Sequence, residues 1–383
     1  MNFALPYIYY FISVFFGVFS SKTGKEFKKL TRILFLFITI YFIGLRGYIE
    51  ADWLIYYPEW NNAPSFMDGL DEVISFFSKT FYEKGFVLLL IICKTLCKNY
   101  LFLQFVILLF TLFCLDKFLT IFCNKYYYLG ACLFYLFGGY MLSIIMIRNC
   151  ISVMLFLLSI PSLINKNWKR YFLLNMIGVL FHTSSVFYFP LYFVLRKKYN
   201  TLLILSIWLF GNIVFLLQIP IASSIFSSVA GLLFGNLGRL VTNYLNSKQY
   251  NAAYGISIGF LERTVTFLLF FLNRKRFNSK SDVVFLNMLY LYSFIFLWCT
   301  DFRIVVDRLP ILIYCCYWVL YPRIYEFFEK RTKAVFLSLL IMYSVIKIVM
   351  FFGTPIGYYE NICTGAMTYE ERRSFTIGVR KNE

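Results

Sequence analysis

Long apolar runs broken by short basic clusters repeat along the whole chain, and only the apolar runs are long enough to form elements. A helix needs about 20 residues to cross the hydrocarbon core of a membrane, where lipid offers no partner to backbone N–H and C=O groups. The pattern therefore predicts helices throughout and no sheet. The expected spans are residues 3–20, 30–45, 100–115, 127–145, 149–164, 201–218, 255–272, 283–300, 309–321 and 334–352. The fold class is all-α, a polytopic integral membrane helix bundle of about ten spanning helices. It forms a single transmembrane domain over residues 1–383.

Composition agrees, with 60% hydrophobic and 15% charged residues. A net charge of +18 suggests nucleic acid in a soluble protein, but here it is an orientation signal. Six short segments (22–29, 117–125, 166–170, 196–198, 274–280 and 323–333) hold 20 of the 37 Lys and Arg. Placing them in the cytoplasm puts both termini, an outer loop over 46–99, an outer loop over 219–254 and a C-terminal tail over 353–383 outside. The basic segments around Arg170 and Arg196 then share one side although an apolar stretch, 171–195, separates them. A re-entrant hairpin with His182, Thr183 and Ser184 at its tip satisfies this; a single tilted span is the alternative, and it would invert the later loops. The ten cysteines show no zinc or disulfide spacing and read as small apolar filler. The first apolar run lacks a basic leader and cleavage site, so it is expected to remain as a helix.

Candidate chemistry sits where lipid should be. Arg148, His182, Glu262, Arg263 and Lys347 interrupt apolar runs, and a charge at mid-membrane costs at least ~2.5 kcal/mol, so such residues usually face a cavity or a partner. Arg148 suits phosphate, or snorkels to headgroups. Glu262 and Arg263 point about 100 degrees apart on a helix and need partners from elsewhere. Lys347 is placed to snorkel. Asp301, Arg303, Asp307 and Arg308 crowd an outer turn, as a self-neutralising network or a second anion site. In the 46–99 loop, Asp52, Trp53, Tyr56, Tyr57, Glu59 and Trp60 mix carboxylates with rings, which suits sugar faces or a membrane interface equally. The run 86–96, too short to span, reads as an interfacial helix on the outer side, and the segment around Arg239 similarly.

Several of these residues fall in a familiar order. The chain resembles the EpsG/Wzy-like family of bacterial polysaccharide polymerases. Arg46 followed by Asp52 and Tyr56 resembles its outer-loop signature, and Glu83-Lys84-Gly85 its Glu-x-Gly element. Arg148-Asn149-Cys150-Ile151 resembles its Arg-Gln-x-Ile element, and Phe181-His182-Thr183-Ser184 its Phe-His-x-Ser element. The similarity covers roughly residues 40–200 and is loose beyond. Asn149 stands where Gln is usual, and Glu50 and Ala51 stand where small residues are usual.

The resemblance implies a membrane glycosyltransferase that polymerises undecaprenyl-pyrophosphate-linked oligosaccharide repeat units at the outer face of the bacterial cytoplasmic membrane. Lipid-linked donor and acceptor glycans and membrane lipids are its expected partners, with a chain-length regulator as a further candidate and no nucleic acid. Catalytic candidates are Asp52, His182 and Glu83, as bases for the acceptor hydroxyl. Substrate-binding candidates are Arg46, Tyr56, Arg148, Arg263 and Arg308, the arginines for a pyrophosphate leaving group. No metal and no cofactor is required. Rival readings are a transporter or flippase of lipid-linked sugars, a membrane O-acyltransferase using His182, and an assembly scaffold.

Overall fold

The computed structural model describes residues 3–22, 24–230, 242–243, 245–247 and 255–382. The expected outer segment over 219–254 lies in large part, with Arg239, outside these residues. Among the described residues there are helices, turns and two isolated β-bridges, with no strand. The chain divides into two compact units, Met1–Pro190 with Tyr321–Glu383, and Leu191–Leu320.

In the first unit, the expected outer loop over 46–99 holds three helices, Trp53–Asn62, Leu70–Lys79 and Lys84–Leu96, the last over the run 86–96 expected as a short helix. Lys94 holds this bundle together by donating to the carbonyls of Trp60, Asn61 and Ala63 at 3.0, 2.9 and 2.5 Å. A cation at those orphan carbonyls closes the end of the Trp53–Asn62 helix. Trp53 and Trp60 are buried among Tyr48, Tyr100 and Phe86, so their faces pack against protein and are not open to sugar.

The helix Tyr100–Cys123 starts on Asn99, whose side chain accepts from the N–H of Leu101 at 2.9 Å. It outruns the expected span and takes Asp116 and Lys117 into the helix. Tyr127 Oη reaches back to Asp116 at 2.8 Å. Eleven residues would separate the two by about 16 Å along a straight helix, so the chain reverses at Asn124–Tyr126. Ile147–Ile164 and Trp168–Val179 form a second helical hairpin, tied by Asn175 to Ser159 at 3.0 Å. After Val179 the chain folds back again. Tyr171 Oη donates to the carbonyl of Tyr188, seventeen residues on, at 2.6 Å. The first arm of this fold-back is only about 18 Å long, too short to cross a membrane.

The segment expected as an outer C-terminal tail is docked within the first unit. Asn361 bridges to Arg46, Ile362 N–H donates to the Leu45 carbonyl at 2.8 Å, and Gly47 N–H donates to the Glu360 carbonyl at 2.9 Å. A stacked series of rings, Tyr10 on Phe42 and Phe42 on Tyr359, continues the contact.

In the second unit, Thr201–Leu216 and Ile221–Ser228 meet at a 91° bend. Gln218, with φ of 53°, and Pro220 break the helix there. Asp301 anchors the start of the following helix, accepting from Ala222 N–H at 3.2 Å and Ser223 N–H at 2.8 Å. Arg303 pairs with Asp307 one turn on, at 3.4 Å. Of the four charges at that turn, Arg303 and Asp307 neutralise each other, while Asp301 is taken up by backbone N–H groups and Arg308 is exposed.

Four stretches meet the length and apolarity that a crossing needs, Tyr100–Gly139, Ile147–Ile164, Lys280–Trp298 and Lys330–Phe352, or six if each of two bent pairs is one span; the first of them turns at Asn124–Tyr126 and is not one straight helix. The expected ten is not reached among the described residues. Among the described residues the apolar stretch Leu5–Ser20 forms a helix shorter than a span requires.

Candidate active site

Glu83 occupies the extended position before the Lys84–Leu96 helix, yet its side chain does not cap that helix. Its carboxylate turns outward instead. Oε2 pairs with Nη1 of Arg148, and Oε1 accepts from the N–H of Thr183 at 3.1 Å. Arg148 stands in the first turn of Ile147–Ile164, and its Nε donates to Tyr56 Oη at 3.3 Å. The guanidinium lies over the rings of Tyr82 and Tyr56, 4.7 and 5.4 Å from their centroids. Burial pushes the Tyr56 phenol above its ordinary value while Arg148 opposes the shift, so this tyrosine stays neutral at physiological pH.

The fold-back supplies the other wall. Gly85 and Phe86 N–H groups donate to the Leu180 carbonyl at 2.8 and 3.2 Å. A Cβ at Gly85 would lie 2.7 Å from that oxygen and 3.0 Å from its carbon, so only glycine permits the approach. His182 precedes the short turn Thr183–Phe187, and its Nδ1 accepts from Ser184 N–H at 3.1 Å. Nδ1 also lies 2.8 Å from Ser184 Oγ, which donates to Asn149 Oδ1 at 3.1 Å. An Nδ1 that accepts a backbone N–H leaves the proton of a neutral ring on Nε2. Asp52 precedes the Trp53–Asn62 helix, half-buried, and its charge contributes to the upward shift of Tyr56.

The structure thus brings Tyr56, Glu83, Arg148 and the His182 turn into one connected cluster, with Asp52 one helical turn before Tyr56. Arg46 is deployed elsewhere. It is almost fully buried and donates to the carbonyls of Ile43 at 2.7 Å and Ile144 at 3.4 Å, and burial lowers its pKa to about 10. Arg263 and Arg308 belong to the second unit. Arg263 finds its partner on another helix, donating to Tyr292 Oη at 2.6 Å, and Glu262 accepts from Thr266 at 3.0 Å. Arg308 is exposed at the end of Arg303–Arg308. Lys347 lies 4.6 Å from the ring centre of Phe137. Sequence reasoning passed over Tyr82, whose signal was its place beside Glu83. It also passed over the buried pair Arg372–Glu360 at 3.7 Å, which lies in the expected outer tail. No cluster of three or more His, Cys, Asp or Glu fit to hold a metal occurs among the described residues.

A family model, that of the EpsG family, matches residues 29–362. The chain belongs to the EpsG family. The match runs far past residue 200, where the similarity had been loose, and ends at the Ile362 strap that docks on Leu45. No curated protein and no solved structure matches the chain. EpsG membership together with the apolar helices makes this a multi-pass membrane protein, and membership supports a polysaccharide polymerase, an enzyme of the glycosyltransferase type.

Proposed function

We propose that this EpsG-family protein transfers a glycan from a lipid pyrophosphate onto the next lipid-linked repeat unit, at the outer face of the cytoplasmic membrane. The observation that carries the reading is that separated sequence elements meet around Arg148: Tyr56 and Glu83 hydrogen-bond its guanidinium, and the His182 turn joins them through Thr183 N–H on Glu83 and Ser184 Oγ on Asn149. The Lys and Arg bias of the short segments supports the outer face.

In this reaction the acceptor hydroxyl oxygen attacks the anomeric carbon of the donor glycan. The bond from that carbon to the pyrophosphate oxygen breaks, and the lipid pyrophosphate leaves with the electron pair. Asp52 takes the hydroxyl proton. Arg148 meets the charge growing on the leaving group. Tyr56 and Glu83 engage two of its five N–H donors, which leaves others for phosphate oxygens. Glu83 holds Arg148 against the turn at Thr183, so it positions the cation. His182, with its proton on Nε2, acts as a donor to substrate oxygen. In this scheme fixed guanidinium charge does the work of a metal.

The test uses purified protein in detergent with a lipid-linked repeat unit from its own source. The expected result is a ladder of longer lipid-linked products from the native protein and single units from Arg148→Ala. Binding of the unit with no extension would overturn the polymerase reading and favour a transporter.

A further inference from the structure

Away from this cluster, two cavities share Ser20 and Tyr128 as wall residues. One, of about 290 Å³, is lined by Lys28, Lys29, Arg32, Lys125, Tyr126 and Tyr127 among others. The second, of about 450 Å³, lies between the first two helices against Phe16, Phe19, Phe27, Leu34, Phe35 and Ile38. We propose that the pair binds one anionic phospholipid, with its phosphate in the basic cavity and an acyl chain along the apolar one.

Charge selects the headgroup. Arg32 is held in place by Asp116, with Nε to Oδ1 at 2.8 Å, and Lys125 pairs with Glu326. Those two cations have carboxylate partners. Lys28 and Lys29 are exposed, and among the described residues neither is in an ion pair, so the cavity carries uncompensated positive charge. A phosphodiester fits this, and a choline headgroup would bring a second cation against the lysines. The groove selects the tail. Phe16, Phe19 and Phe27 remain 67%, 60% and 49% exposed, an apolar wall that a free inorganic anion would leave uncovered. The shared wall is rigid, because Tyr128 Oη donates to Thr31 Oγ1 at 2.9 Å and its ring packs on the bare backbone of Gly17, where a Cβ would lie 2.3 Å away. The neighbouring tyrosines suit the headgroup level, and the segments 22–29 and 117–125 are those the charge bias puts at the cytoplasmic leaflet.

The experiment is native mass spectrometry of the full chain in a neutral detergent with phosphatidylglycerol, phosphatidylcholine or inorganic phosphate. Phosphatidylglycerol should be retained at least tenfold over phosphatidylcholine. The double variant Lys28→Gln/Lys29→Gln should lower that retention roughly tenfold, while Lys28→Arg/Lys29→Arg keeps it. A thermal midpoint equal to that of the native protein verifies folding of both variants, whose substituted side chains are exposed. Equal retention of the two lipids, unchanged retention in the Gln variant, or displacement of phosphatidylglycerol by millimolar phosphate would each overturn the proposal, the last in favour of a simple anion site.

Discussion

If Arg148 and Glu83 act as one unit, losing either alone should cost more than half of what losing both costs. Their side chains keep only 19% and 15% of their exposure, so each charge depends on the other. Truncating one member of a buried pair costs roughly 3–5 kcal/mol, and the remaining exposure places Arg148→Ala and Glu83→Ala near the lower end, about 3 kcal/mol each. Arg148→Ala also loses the bond to Tyr56 and the face of Tyr82, worth about 0.5–2 kcal/mol together. Glu83→Ala also releases the N–H of Thr183. In the double variant no charge is orphaned, so the total should fall short of the sum by about 1–3 kcal/mol. Reversible unfolding in mixed micelles of the native protein, both single variants and the double measures this coupling. Strict additivity would refute the pairing. Glycan chain length is read on the same four proteins, where removal of a preorganised cation should slow extension about 10²–10³-fold. A stable, abundant Arg148→Ala protein that still makes native-length chains would show that the cluster is structural only.

Three further outcomes follow from the same geometry. Asp52→Asn should lower the extension rate about 10²–10⁴-fold with membrane abundance unchanged, and an undiminished rate would remove Asp52 as the base. Gly85→Ala should push the Leu180 backbone away and cost about 1–3 kcal/mol, read as a lowered thermal midpoint with shortened glycan chains; a midpoint equal to the native one would mean the approach is not tight. Burial raises the Glu360 carboxyl above its ordinary 4.5 against the pull of Arg372, so the folded chain holds this proton more tightly than the unfolded one. Its contribution to docking of the C-terminal segment is therefore fullest below pH 4.5 and declines as pH rises through the raised value. Hydrogen exchange over residues 355–372, corrected for intrinsic rates, should show that decline, and Glu360→Gln should flatten it; identical slopes would discard the assignment.

Helical class, membrane residence and the residues of the candidate site were legible in the linear sequence. Apolar run length and the lack of water in lipid leave the backbone few alternatives, and an ionisable group placed in such a run stands out against its neighbours. Arg148 and His182 could be named on that basis, and Glu83 from its place in a familiar motif, before any partner was known. Partnership was not legible, because it joins positions 65 and 100 residues apart and depends on where each helix ends. Arg46 shows the limit: its place in the outer-loop signature suggested substrate, but burial commits its donors to the carbonyls of Ile43 and Ile144. Trp53 and Trp60, open to sugar or membrane in the sequence, became core because three short helices packed around them. The polar residues 353–382 read as a tail, since nothing local reveals that Glu360, Asn361 and Arg372 have buried partners. Sequence by itself determined that the long apolar segments are helical and which side chains are too costly to leave in lipid. Tertiary structure alone decided which of those charges meet each other and which are consumed in holding the fold, since that choice depends on distances between segments remote along the chain.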